Sequence, residues 1–214
     1  MHQLDFDWVR KKLGKMPHAK YKILDIGCSD GSFLNQFPRH EFELFGIEPN
    51  KTEAMKSTAL GIRILDSCDD YSDFDVVVIR GTLHHLPNSQ EFLNQLLLSF
   101  SVPNLVGDKY FFALANPNSE ALVYRKFKKL PALEKQLTFS SLYKVWGAKE
   151  LKKSLEEKGA LVKLSYPYFD TPYRNLVTDL TKFSISVIWN TYKDFAFPRN
   201  MFNLSAIFPA KEVV

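Results

Sequence analysis

Residues 21–34, YKILDIGCSDGSFL, leave a chain of this kind few folds to choose from. Ile23, Leu24 and Ile26 make a short apolar run around Asp25, and Gly27, Ser29 and Gly31 punctuate the turn that follows. Phe33, Leu34 and Phe37 then recur at the spacing of one helix face. Strand, tight glycine turn and helix together bring backbone N–H groups up to a ligand at a helix N-terminus. The spacing predicts a helix of about two turns ending near Pro38, which has no N–H to donate.

The same alternation runs on. FELFGI at 42–47 reads as a second strand, ending at Glu48, Pro49 and Asn50. Residues 52–60 suit a helix stopped by Gly61. Strands are expected at 62–65, 74–79 and 109–115, with an amphipathic helix at 90–100 and a loop at 81–88. FDVVVI is continuous apolar sequence of the kind buried on both faces of a parallel sheet. This rhythm predicts an α/β domain with a ligand at the carboxyl ends of its strands. Asp25, Glu48, Asp66 and Arg80-Gly81 all fall at that edge. Residues 1–20 carry a weak helical pattern, read as a short lid or packing helix. Beyond residue 115 the rhythm breaks. A helix at 148–158, a strand at 160–166 and a last strand at 202–208 are separated by aromatic stretches at about 116–147 and 167–200. These read as cap-like insertions on a single domain spanning 1–214, not as a second domain.

Composition narrows the class of protein. Two cysteines, Cys28 and Cys68, make no disulfide framework and no zinc motif, and they fit a reducing, cytoplasmic setting. No signal peptide is read at the N-terminus, and no apolar run approaches the ~20 residues of a membrane span. Asp69, Asp70 and Asp73 lack a histidine at ligand spacing, so no metal is expected. Residues 101–170 are net basic, with Arg125, Lys126, Lys128 and Lys129 close together. That cluster fits a solvated face better than a nucleic-acid site, since no RNA-binding signature accompanies it.

The turn spacing Asp25-x-Gly27-x-x-x-Gly31 is not the G-x-G-x-x-G of a dinucleotide fingerprint. DIGCSDG instead resembles motif I of the class I S-adenosylmethionine-dependent methyltransferases, with Ser29 where the middle glycine usually stands. FDVVVIRGTLHHLPN resembles the family's fourth strand and its following loop. Residues 116–118 and 140–162 resemble the later part of its small-molecule members. The resemblance covers roughly residues 20–166. It implies a Rossmann-like three-layer αβα sandwich whose seven-stranded sheet is mostly parallel, with an antiparallel last strand. It also implies S-adenosyl-L-methionine as cofactor. Asp25, Gly27, Cys28, Ser29, Gly31, Arg80 and Gly81 would lie around the cofactor, Glu48 and Pro49 at its ribose and Asp66 and Ser67 at its adenine. A carboxylate suits position 48 because it can accept two O–H donors at once.

His84 and His85 are the candidate general bases, His85 the first choice, because an imidazole titrates near neutral pH. Cys28 reads as a small packing residue. The tyrosines of YPYFDTPYRN, 166–175, are candidates for an acceptor pocket. The favoured reading is methyl transfer to a small molecule, most simply to oxygen, with a sugar or glycolipid-type intermediate as acceptor. A non-catalytic cofactor-binding partner protein and an RNA methyltransferase are the alternatives.

Overall fold

The computed structural model describes residues 2–13, 20–101, 107–120, 144–165 and 201–210. Seven strands form one sheet: β1 (Tyr21–Ile26), β2 (Phe42–Ile47), β3 (Arg63–Leu65), β4 (Val76–Arg80), β5 (Lys109–Pro117), β6 (Leu161–Ser165) and β7 (Met201–Phe208). Their order is β3-β2-β1-β4-β5-β7-β6. β1 to β5 are parallel, and β7 runs antiparallel to both β5 and β6. This is the expected Rossmann-like sheet with its reversed last strand.

Side-chain alternation divides the core into two layers. Leu24, Ile26, Val77, Ile79, Phe111 and Ala113 face helices α3 (Ser89–Phe100) and α4 (Ala148–Glu156). Ile23, Val76, Val78, Phe112 and Leu114 face the other way, with Phe33, Phe37 and helix α1 (His2–Leu13). β4 is buried on both faces, which explains its unbroken valine run. The N-terminal pattern proves to be a docked helix. Val9 and Leu13 are buried, Phe6 meets Phe37 edge-on at 4.9 Å, and Trp8 meets Phe112 at 5.8 Å. Arg10 adds an ion pair to Glu41 at 2.9 Å.

Three expectations need correction. The helix after the glycine turn shrinks to one 3-10 turn, Leu34–Gln36. Phe37 is already extended, at φ −79° and ψ 129°, because the proline that follows it disfavours the helical region. The expected loop at 81–88 holds a 3-10 turn of its own, Leu83–His85. β5 continues to Pro117, because β7 keeps pairing with it past a bulge between Ala113 and Asn116. Helix α2 (Lys51–Ala59) stands close to expectation, capped by the Asn50 side chain and stopped at Gly61. The basic run at 125–129 and the tyrosines of 166–175 lie outside the described residues.

The amino edge of the sheet is chemically complete. Asp75 accepts from the backbone N–H of Lys22 at 2.9 Å through one oxygen and from Lys109 Nζ at 3.1 Å through the other. Lys109 is buried by this arrangement yet paired. The carboxyl edge differs in this respect.

Candidate functional site

The glycine turn closes over the end of β2. Gly27 and Cys28 donate their N–H groups to Ile47 O at 2.8 and 3.2 Å. Gly27 has φ +78°, and a Cβ there would stand 2.5 Å from Thr82 Oγ1, so only glycine fits between the turn and the loop after β4. Ser29 adopts φ +52°, the left-handed conformation that a glycine would take without strain. Its carbonyl accepts from Ser57 Oγ at 2.7 Å, and its N–H donates to Glu48 Oε2 at 2.9 Å.

Glu48 is thereby fixed. Its other oxygen accepts from the N–H of Asn50 at 2.8 Å. Each carboxylate oxygen keeps a further lone pair for an incoming hydroxyl. Asp66 and Ser67 follow β3, both exposed, next along the edge in the strand order. Pro49 is exposed beside Glu48.

Two residues of the turn face inward. Cys28 is buried, its Sγ 3.8 Å from Ser57 Oγ, and burial, with help from the charge of Asp25, pushes its thiol up to about 11. Its side chain therefore packs between turn and α2 as a neutral thiol. Gly31 is also buried, and a Cβ there would run into Ile62 and Ser57. The side chain of Cys28 is thus committed to packing, and Gly31 has no room for one.

On the other side of the turn, the carboxyl ends of β1, β4 and β5 carry buried polar atoms without partners. Asp25 Oδ1, Arg80 Nε, Asn116 Oδ1 and Glu120 Oε2 have none, nor has Asp5 Oδ2 on α1. Buried polar atoms are usually paired, so a row of exceptions on one edge marks a place for a ligand. Burial raises the Asp25 carboxyl to about 7. The Arg80 charge pulls it down, and the Glu48 charge adds to the rise. Gly81, at φ +64°, donates its N–H to Leu114 O at 2.8 Å and ties β4 to β5 where the loop begins.

The His84 and His85 rings lie 4.0 Å apart in the 3-10 turn after β4. Burial first, and then the charge of His85, pushes His84 down to about 4, so at neutral pH it is an uncharged imidazole and a weak base. His85 is exposed. Among the described residues no cluster of three metal-ligating side chains occurs, and no helix is long and apolar enough to cross a membrane.

Sequence reasoning missed Asp5 and Glu120. An acid on a weakly patterned helix carries no spacing signal, and Glu120 acts across a gap of about thirty residues. It accepts from the N–H groups of Lys149 and Glu150 at the start of α4, at 3.2 and 3.3 Å. Asn118 does the same for Ala148 at 3.1 Å. Ser119 N–H reaches Trp146 O at 3.1 Å, and Trp146 Nε1 reaches Ser89 Oγ at 3.2 Å.

A mostly parallel sheet in this strand order, with a glycine turn after β1 and an acid fixed at the end of β2, places a ligand site at the carboxyl ends of its strands. The family described as "Methyltransferase domain" matches residues 5–162, and the chain belongs to it. No curated protein matches the sequence. Solved structures share the fold at low identity. A SAM-dependent methyltransferase from Archaeoglobus fulgidus is 17% identical, with a TM-score of 0.57 over 97% of this chain and 94% of that one. The methyltransferase solved with the Haloferax volcanii Trm112 activator is 14% identical, with a TM-score of 0.62 over 99% and 92%. The plantazolicin methyltransferase BpumL, solved with a triazolic desmethylPZN analogue and SAH, is 16% identical, with a TM-score of 0.58 over 98% and 83%. The chain is a methyltransferase with S-adenosylmethionine as its cofactor. The residues present fit that cofactor: a turn whose Gly27 leaves no Cβ towards the loop after β4, a carboxylate with free lone pairs and unpartnered buried polar atoms beside it.

Proposed function

We propose that this methyltransferase acts on a small molecule, with a hydroxyl oxygen as the favoured target and a sugar or glycolipid-type compound as the favoured class. The observation that carries the reading is the unpartnered polar row along the carboxyl edge, beside a Glu48 already held by two backbone N–H groups. DIGCSDG serves in it as motif I. When bound, S-adenosylmethionine supplies an electrophilic methyl group on a sulfonium centre.

The chain's own residues do the rest. Glu48 takes the ribose hydroxyls, with Pro49 beside it. Asp66 and Ser67 lie on the adenine side. The turn from Gly27 to Ser29 brings backbone close, and Asp25, Arg80 and Gly81 flank the far end. His85 removes the proton of the acceptor hydroxyl. His84, held neutral, accepts or donates one hydrogen bond and orients the acceptor. Orientation of this kind supplies much of the acceleration in a displacement reaction.

A small acceptor is favoured over RNA because no RNA-binding signature accompanies the basic cluster Arg125, Lys126, Lys128 and Lys129. Binding of S-adenosylhomocysteine, followed by isothermal titration in wild type and Glu48→Ala, tests the cofactor placement. The variant is expected to bind about 10- to 100-fold more weakly, the loss of hydrogen bonds to a charged acceptor. Transfer of a labelled methyl group to a panel of hydroxylated sugars, amines and RNA tests the acceptor. Label in amines or RNA alone would overturn the oxygen assignment.

A further inference from the structure

The strand order gives the cofactor a direction along the edge. With the ribose at Glu48 of β2 and the adenine towards β3, the amino-acid end must run the other way, over β1 and β4. Three charged groups meet there. Asp25 ends β1 and Arg80 ends β4. Asp5 comes from α1, one of the few buried charged residues among those described. Asp5 Oδ2 lies 4.0 Å from Arg80 Nη1, close enough for an ion pair and too far for a hydrogen bond. Asp5 Oδ2, Arg80 Nε and Asp25 Oδ1 are all buried without a hydrogen-bond partner. At the amino edge, by contrast, both oxygens of Asp75 are hydrogen-bonded. Unpartnered atoms of both signs in one place match a ligand that is itself anion and cation, which is the chemistry of an α-amino acid.

The guanidinium has two edges. Asp5 stands at Nη1. Nε belongs to the opposite edge, the one that grips a carboxylate through two parallel N–H bonds. The plane is steadied from below by the Phe33 ring, 5.4 Å from the guanidinium carbon. We propose that Arg80 holds the carboxylate of the cofactor's amino-acid end, and that Asp5 is a positioning residue that braces Arg80 from α1. The N-terminal helix thereby senses the amino-acid end of the cofactor and not its nucleoside. This assignment rests on the ribose lying at Glu48.

Two probes separate the parts. S-adenosylhomocysteine carries nucleoside and amino acid, whereas 5′-methylthioadenosine carries the nucleoside and lacks the amino acid. Titration of the full chain is expected to show that Arg80→Met weakens the first probe about 10- to 100-fold and leaves the second within about twofold. Arg80→Lys keeps the charge without the fork and recovers only part of the loss. Asp5→Asn weakens the first probe by about 3- to 10-fold and spares the second. Equal losses for both probes, or none for the first, would overturn the proposal. Hydrogen exchange in α1 gives a second readout, slowed by S-adenosylhomocysteine and unchanged by 5′-methylthioadenosine. Glu48→Ala must weaken both probes. If it spares both, the ribose placement fails and takes this assignment with it. If it weakens both while Arg80→Met does not discriminate between them, only the present proposal fails.

Discussion

Asp25 and His84 are charge-bearing residues buried in opposite senses, and their pH dependences oppose each other. Asp25 titrates near 7 in the folded chain, far above its ordinary value of 3.8. Between about pH 4 and 7 the folded state therefore holds a proton that the unfolded state has lost, and stability falls as pH rises through that window. His84 titrates near 4, below its ordinary 6.5. Between those values the unfolded state holds the extra proton, so stability falls as pH drops. Arg80 and Glu48 act on Asp25, which in turn acts on the Cys28 thiol, and His85 acts on His84. Wild type should accordingly show a shallow dependence between pH 4.5 and 6.5, by mutual offset. Denaturant melts of Asp25→Asn should lose stability on acidification, and His84→Gln should gain it. Above pH 7 Asp25→Asn should melt about 2–4 °C higher for each kcal/mol relieved, while cofactor binding weakens. Parallel pH curves for all three proteins would refute the offset.

At the scale of elements, α4 has an unusual start. Gly147 has no side chain to cap it, although its own N–H donates to Glu150 Oε2 at 3.2 Å. The acceptors for the first turn come instead from Asn118 and Glu120. A side chain at 147 would collide with Glu120, its Cβ only 2.5 Å from Oε1. Glu120→Ala should cost about 1 kcal/mol, and Gly147→Ser alone should also destabilise. Combined, they should come close to wild type, because the serine can cap once the glutamate has gone. Simple additivity of the two losses in urea melts would show that position 147 has room already. The serine, asparagine and glycine signals of a local cap are legible in a sequence, and Asn50 before α2 is one. A cap contributed from 29 or 30 residues away is not. The short turn after β1 failed for a related reason. Phe33, Leu34 and Phe37 do have helical spacing, but they are spent in a cluster with Phe6 and Phe42, and Pro38 stops the turn.

For the molecule as a whole, the parallel sheet was legible because each strand carries its own apolar run and each crossover its own punctuation. The cofactor edge was legible through Gly27 and Glu48, residues whose chemistry depends on a short stretch of backbone. Asp5 shows where that ends. Its meaning comes from the strand order, which places Arg80, the last residue of β4, beside β1, and from α1, which brings Asp5 to Arg80.

The joint formed by Asn118, Ser119 and Glu120 with Trp146 and α4 has an evolutionary consequence. The residues flanking segment 121–143 are held together by hydrogen bonds between Ser119 and Trp146 and between Asn118, Glu120 and the start of α4. Joining two ends that are already fixed side by side costs little more as the connection lengthens, since the entropy rises only with the logarithm of length. A connection of different length between the same two ends is therefore expected to leave the sheet unchanged. Replacing 121–143 with a short glycine-serine linker should leave a cooperatively folding chain that still binds S-adenosylhomocysteine and has lost its acceptor. If the shortened chain fails to fold, the segment is part of the core. If it folds and binds S-adenosylhomocysteine but transfers no methyl group, the proposed acceptor is chosen by this segment, a trait open to exchange between relatives that keep the same joint.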